Sequence, residues 1–262
     1  MLIDSHCHLD FPELAQDEPG VLARAREAGV AGMLTIGTRL DQFERVRAVA
    51  ERHANIWCSV GVHPHEAKDE GQRAPDRLIE AARHAKVVGI GETGLDFFYE
   101  HSPRDLQAES FRTHIAAARQ TGLPLIVHTR DADGETGDIL EDEYGKGAFA
   151  GLLHCFSSGA DVARRALALG FYISISGIVT FKAADPLRAI VRDIPLSRLL
   201  VETDAPYLAP IPKRGKTNEP AFVTHTAAKV AELKGIGIAE LHAATTDNFF
   251  RLFTKAERGL CA

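Results

Sequence analysis

Histidine recurs in this chain beside short apolar stretches in a way that points to metal chemistry. His6 and His8 end the stretch that opens MLIDSHCHLD. Strand side chains alternate faces, so two rings at i and i+2 project to the same side and are placed to chelate one ion. Alone, such a pair is more often two polar residues at a strand end. Four more positions shift the balance: GIGETGLD puts Glu92 just beyond an apolar run, LIVHTR does so for His128, LLHCF for His154 and LLVETDAPYL for Asp204. Mixed imidazole and carboxylate donors suit zinc, manganese or a related divalent ion, whereas magnesium favours more oxygen ligands. One catalytic zinc takes about three protein ligands plus water. Six candidates therefore imply two ions, with Glu92 as the bridging carboxylate, and paired ions clamp the attacking and leaving oxygens of a phosphoester displacement.

The apolar runs that carry these residues read as strands: Leu2 to Ser5, Val30 to Ile36, Ile56 to Val62, Val87 to Ile90, Leu123 to Val127, Ala150 to Leu153, Phe171 to Ile175 and Leu199 to Val201. Helical spacing separates many of them, as at Val21 to Ala28, Leu40 to Arg52, Pro75 to His84, Pro103 to Gln120 and Ala160 to Leu169, with two more helices expected near Pro220 to Leu233 and Ala239 to Phe253. Strand and helix in alternation mean parallel strands with crossover helices, and eight such units make a closed (β/α)8 TIM barrel. An open doubly wound sheet is the rival, but no GxGxxG or GxxxxGK[ST] turn supports it. A barrel gathers its strand C-termini at one mouth, so the six residues would converge there. Without a metal, such buried polar groups would go unsatisfied at roughly 1–3 kcal/mol each.

At 262 residues and 45% hydrophobic content the chain fits one barrel domain over 1–262. No Ser-rich or Pro-rich linker divides it. The formal net charge of −6 excludes a global basic field for nucleic acid, so a polyanion substrate needs a local patch. Cys7, Cys58, Cys155 and Cys261 form no CxxC pair, which argues against a disulfide framework or a thiolate zinc knuckle and favours a reducing, cytoplasmic setting. No apolar run reaches membrane-span length and no export signal opens the chain, so a membrane role is not expected. Nothing calls for an obligate protein partner.

The ordered motifs DSHCHLD (4–10), GVHPH (61–65), GIGETGLDFF (89–98), LIVHTRDA (125–132), LLHCFSSG (152–159), SGIVTFK (176–182), VETDAPYLAP (201–210) and RGKTNEP (214–220) span nearly the whole chain. In these the sequence resembles the TatD-type metal-dependent deoxyribonucleases, which are similar in architecture to the wider amidohydrolase superfamily. The resemblance implies a (β/α)8 barrel, metal ligation by His6, His8, Glu92, His128, His154 and Asp204, and cleavage of DNA from its 3′ end with a divalent cation. Thr217 stands where the family often carries a basic residue, which removes one cation from a candidate phosphate loop.

Other residues invite roles around that centre. His63, after the third strand, is placed to reach a substrate phosphate, while His65 reads as structural. Asp96 is a candidate to hold a histidine tautomer. Arg130, two residues after His128, pairs either with a phosphate oxygen or with Asp131 or Glu135. The irregular stretch APYLAPIPKRGKTN (205–218) holds three prolines and three basic residues. There Arg214 and Lys216 precede Asn218, a candidate cap for the following helix, so cations and a helix N-terminus could bind an anion. Glu202 reads as support for Asp204, and Cys7 and Cys155 as core residues facing away from the ligands.

The leading expectation is hydrolysis of a phosphodiester of single-stranded DNA or of 3′ ends, with water activated at two divalent ions (zinc, manganese or magnesium) and Asp204 and Glu92 as the catalytic carboxylates. A carboxylic ester or amide, including an aminoacyl-RNA ester, is the alternative, since related barrels use nearly the same ligands for acyl chemistry. Those relatives often carry a bridging lysine after the fourth strand, where this chain has Glu92. A third reading, a metal-dependent binding protein without turnover, would leave so many water-activating ligands unused.

Overall fold

All eight predicted strands form, and they pair in parallel in sequence order: β1 (Leu2–Cys7), β2 (Val30–Thr35), β3 (Ile56–Val60), β4 (Val87–Asp96), β5 (Leu125–Arg130), β6 (Gly151–Leu153), β7 (Tyr172–Ile175) and β8 (Leu199–Val201). The structure is a computed structural model that describes residues 1–71 and 75–261. Closure from β8 back to β1 comes through a parallel bridge between Cys7 and Ala205. The (β/α)8 barrel is thus the observed fold. Its helices are α1 (Pro12–Ala15), α2 (Glu18–Glu27), α3 (Phe43–Arg52), α4 (Pro75–Ala82), α5 (Arg104–Thr121), α6 (Asp133–Lys146), α7 (Ala160–Ala168), α8 (Asp185–Asp193), α9 (Val223–Lys234) and α10 (Ile238–Leu252).

The core has two parts, as strand alternation requires. Met33, Cys58, Val60, Val127, Leu153 and Val201 belong to the cluster shared with the surrounding helices. Ile3, Leu34, Trp57, Val88, Ile126, Leu152 and Leu200 cluster instead with Phe249, Leu252 and Phe253 of α10 and its end. α10 is fastened across the N-terminal end of the barrel. Asn248 donates to the carbonyls of Leu196 and Leu199 (2.8 Å each), Thr246 to that of Met1 (3.1 Å), and Lys255 to those of Ala82 and His84 (2.8 and 2.7 Å). That end is a closed floor.

β4 departs most from its apolar run, continuing past Ile90 to Asp96 so that Glu92 lies inside the strand. Likewise β5 continues through His128 to Arg130. Polar side chains read as strand ends in the sequence because they usually are; in a barrel mouth they face a polar cavity and the ladder simply continues. Register shifts interrupt β1 between Asp4 and Cys7, and β4 between Ile90 and Thr93. Irregularities of this kind re-aim side chains next to functional sites.

β4 and β5 approach closely at Gly94, which pairs with His128 and has φ +135°; a Cβ there would lie 2.0 Å from the His128 carbonyl oxygen. Gly94→Ala should therefore force the strands apart at the ligand and cost roughly 3 kcal/mol or more of stability. Urea denaturation checks this, and a variant as stable as the parent would contradict so close an approach.

Candidate metal centre

The C-terminal mouth of the barrel brings together His6, His8, Glu92, His128, His154 and Asp204. Glu92 is their hub. Its Oε2 lies 3.4 Å from His6 Nε2, while its Oε1 faces His154 Nε2 (2.7 Å), His128 Nδ1 (3.1 Å) and His63 Nε2 (3.5 Å). Asp204 Oδ1 is 3.5 Å from Nε2 of both His6 and His8. Burial alone would raise the Glu92 carboxyl, but His154, His63 and His128 together outweigh it and hold the group well below its usual range. The Asp204 carboxyl is also lowered, with burial opposed by His8, His6 and His154. Both carboxylates are thus kept ionised.

Local structure fixes these side chains. The β8 end is stitched to β1: Asp204 N–H donates to His6 O (2.9 Å) and His8 N–H to Ala205 O (2.8 Å). Asp204 itself sits at φ +58°, a left-handed conformation costly for a non-glycine residue. His128 Nε2 lies 3.2 Å from Asp96 Oδ2, which leaves Nδ1 aimed at Glu92. Asp96 also contacts His65 Nε2 (2.9 Å) and accepts the Phe98 and Tyr99 N–H groups (3.0 Å each). Its contacts thus suit both roles open to it from the sequence, steadying the His128 and His65 rings and orienting the loop after β4. Glu202 does the same for His154: its Oε1 lies 3.3 Å from Nδ1 and accepts the Cys155 N–H at 2.7 Å.

Among the described residues, three groups of donors have their ligand atoms within 4.8 Å of one another: His6, His8 and Glu92; His63, Glu92 and His128; and His6, His154 and Glu202. Neither ring nitrogen of the buried His6 has a hydrogen-bond partner among the described residues, nor does His8 Nδ1. Buried polar atoms left so are expensive. The nitrogen and oxygen donor set fits a zinc-like or manganese-like divalent ion, and the unsatisfied atoms lie where it would bind.

His63, expected on the substrate, stands within that donor set. Its Nδ1 accepts the His65 N–H (3.1 Å), which turns Nε2 toward Glu92. The preceding residue is held by His114 on α5, whose Nε2 accepts the Val62 N–H (2.9 Å) and whose Nδ1–H donates to Ser110 O (2.7 Å). Burial brings the His114 imidazole down to about 4 from an ordinary 6.5. The unfolded chain therefore binds a proton near pH 6.5 that the folded chain refuses until about pH 4. Stability drains across that window by about 3 kcal/mol. In metal-free protein, the unfolding free-energy gap between parent and His114→Gln should shrink by that much from pH 7 to pH 4, as read by urea denaturation. A pH-independent gap would contradict a neutral buried imidazole.

A cavity of about 590 Å³ opens over the cluster, and Arg130 lines it. Arg130 forms no ion pair with Asp131 or Glu135; its guanidinium lies over the rings of Phe98 (4.0 Å) and Tyr99 (4.7 Å). Arg214 and Lys216 do not join the cluster but line an adjacent cavity of about 430 Å³. Asn218 does not cap the next helix through its side chain. Buried, it donates to Thr203 O (2.8 Å) and Tyr207 O (2.6 Å), pinning the 205–217 loop to the end of β8. Cys7 faces the core as expected, but Cys155, at φ +43°, turns into the cavity wall and donates to Ser176 Oγ (3.2 Å). Strand alternation stops at Leu153, so its parity could not be extrapolated. The sequence reading also passed over Phe11, Tyr99 and Tyr207, which line the same cavity from the loops after β1, β4 and β8. Their position directly after ligand-bearing strands was the available signal.

Among the described residues no helix is long and apolar enough to cross a membrane. The sequence model of the family described as TatD related DNase matches residues 3–254. The chain is 46% identical over 255 residues to the metal-dependent hydrolase YcfH of Escherichia coli (strain K12), covering 96% of this chain and 95% of that protein. It is 38% identical over 257 residues to a protein of Enterobacter lignolyticus named 3′-5′ ssDNA/RNA exonuclease TatD, covering 96% and 98%. The crystal structure of YJJV, a TatD homologue from Escherichia coli, superposes with a TM-score of 0.90 at 30% identity, covering 97% of this chain and 98% of that one. The mouth of histidines and carboxylates thus occurs in a chain that belongs to the TatD family of metal-dependent hydrolases.

Proposed function

We propose that the protein is a nuclease that hydrolyses phosphodiester bonds of DNA from the 3′ end. The observation that carries this reading is the division of Glu92: one carboxylate oxygen faces His6 and the other faces His128, His154 and His63. A carboxylate approached by two histidine sets is suited to bridge two ions, and paired ions serve displacement at phosphorus. His6, His8, Glu92 and Asp204 would hold one ion, with Glu92, His128 and His154 at the other. Bound there, divalent metal supplies Lewis acidity and a lowered pKa for water.

The chain's own groups supply the rest. Asp204, kept ionised and exposed to the cavity, accepts the proton of the attacking water at a carboxylate oxygen. Water adds to phosphorus, the bond from phosphorus to the 3′ oxygen breaks, that oxygen takes up a proton from solvent to end as a hydroxyl, and a 5′-mononucleotide separates from a chain one unit shorter. Arg130, without a carboxylate partner among the described ion pairs, is placed to hold a non-bridging phosphate oxygen. The name of the Enterobacter lignolyticus relative supports a single-stranded substrate and extends the reading to RNA.

The test is a metal-reconstituted assay on 5′-labelled single-stranded DNA, RNA and an aminoacyl ester in parallel, with chelator-treated protein as control. We expect a 3′-shortened ladder that chelator abolishes and metal restores. Faster hydrolysis of the aminoacyl ester than of either nucleic acid would replace the nuclease reading with acyl hydrolysis.

A further inference from the structure

Three aromatic side chains are exposed among the described residues, Phe98, Tyr99 and Tyr207, at 55%, 50% and 52%. All three lie on loops at the barrel mouth. Phe98 and Tyr99 follow β4, and Tyr207 follows β8. In an eight-stranded barrel, strands four apart stand across the mouth from each other, so the rings form two walls with the metal-ligating residues between them. Tyr99 and Tyr207 line the same cavity.

Each wall is built rather than incidental. On one side the Arg130 guanidinium packs over Phe98 and Tyr99, and Tyr99 is parallel to His101 at 6°. On the other, Phe11 stacks on His8 (4.6 Å, 22°) and meets Tyr207 edge-on at 6.2 Å. Asn218 fixes Tyr207 through its carbonyl oxygen. Tyr207 and Leu208 are shared with the second cavity, whose lining also includes Arg214, Lys216 and Thr217. The Arg214 guanidinium rests over Phe181 at 4.0 Å. Glu13 also lines this cavity and opposes an anion there.

Resting on the phosphodiesterase reading above, we propose that these features form an extended subsite for an unpaired polynucleotide: bases stack on Tyr99 and Tyr207 on either side of the cut, and the strand passes over Tyr207 so that Lys216 and Arg214 hold a phosphate remote from the chemistry. Every base has a π-face, so stacking of this kind holds a strand without reading its sequence. A paired base presents no free face to a ring. The basic pocket adds salt-dependent affinity for the backbone in an otherwise acidic protein, which a global field could not.

The experiment compares kcat/KM on 5′-labelled oligothymidylates of two and six nucleotides, with bis(p-nitrophenyl) phosphate as a phosphodiester that has no strand. In the metal-loaded parent the hexamer should outrun the dinucleotide by tenfold or more. Tyr207→Leu should cut that advantage about tenfold, mainly through KM, while Tyr207→Phe keeps it. Lys216→Ala should cut it too and flatten the salt dependence of hexamer binding by about 0.7 in log–log slope. Glu13→Gln should enlarge it. Equal rates on hexamer and dinucleotide, or an advantage intact in Tyr207→Leu and Lys216→Ala, would overturn the subsite while leaving the phosphodiesterase reading in place. No hydrolysis of any of the three phosphodiesters by metal-loaded protein would overturn both.

Discussion

Glu92→Gln will strip the protein of bound divalent metal and reduce hydrolysis by roughly three orders of magnitude, about 4 kcal/mol of barrier. The side chain changes little in size, so the effect is electronic. Its two oxygens serve different partners, His6 on one side and His154, His128 and His63 on the other. An amide keeps one oxygen and turns a donor NH2 toward the other set, so one side loses an anionic ligand. His6 and His154, stacked at 3.9 Å, also lose the buried anion that each of them faces and that favours their protonated forms. Metal content per chain by elemental analysis and turnover on single-stranded DNA should fall together. Full metal content with near-normal turnover would remove Glu92 from the hub.

Asp204→Asn separates binding from chemistry. His6, His8 and Glu92 form a complete donor group without it, so metal content should stay close to that of the parent. Turnover should nevertheless fall about a thousandfold in kcat with KM little changed, because the group that accepts the proton has been removed. The main-chain link from residue 204 to His6 O does not involve the side chain, so the barrel seam should survive. Near-normal kcat in the metal-loaded variant would show that another group takes the proton. Read together, the two substitutions distinguish the carboxylate shared by both histidine sets from the one that takes the proton.

Much of the frame was legible because apolar runs and barrel strands coincide where neighbouring residues are uniformly buried. The run Leu199 to Val201 became β8 with the same limits. The reading failed where function interrupts the pattern. Glu92 and His128 looked like strand ends because the sequence does not reveal that their neighbours across the mouth are equally polar. α6, spelled DGETGDILEDEYGK, carries three glycines within a largely acidic stretch, and its buried aliphatic residues are Ile139 and Leu140. Few apolar positions mark its period. Residues meeting at the mouth could be inferred from topology, since a barrel collects all strand ends. Which oxygen of Glu92 faces which histidine could not, because it depends on the register shift in β4 and the close approach at Gly94. The direction of Cys155 depended on one left-handed dihedral, and the role of Asn218 on which carbonyls the folded loop presents.

The floor sealed by α10, with Phe249 and Phe253 against Trp57 and Ile126, has a kinetic corollary. A barrel shut at one end is a cup and offers no passage through which a polymer could be drawn. On the proposed nuclease reading, each liberated nucleotide would depart by the opening through which the remaining strand entered. Strand and product would then compete for one doorway, which favours letting go between cuts and a population of partly trimmed strands instead of a few consumed to the end.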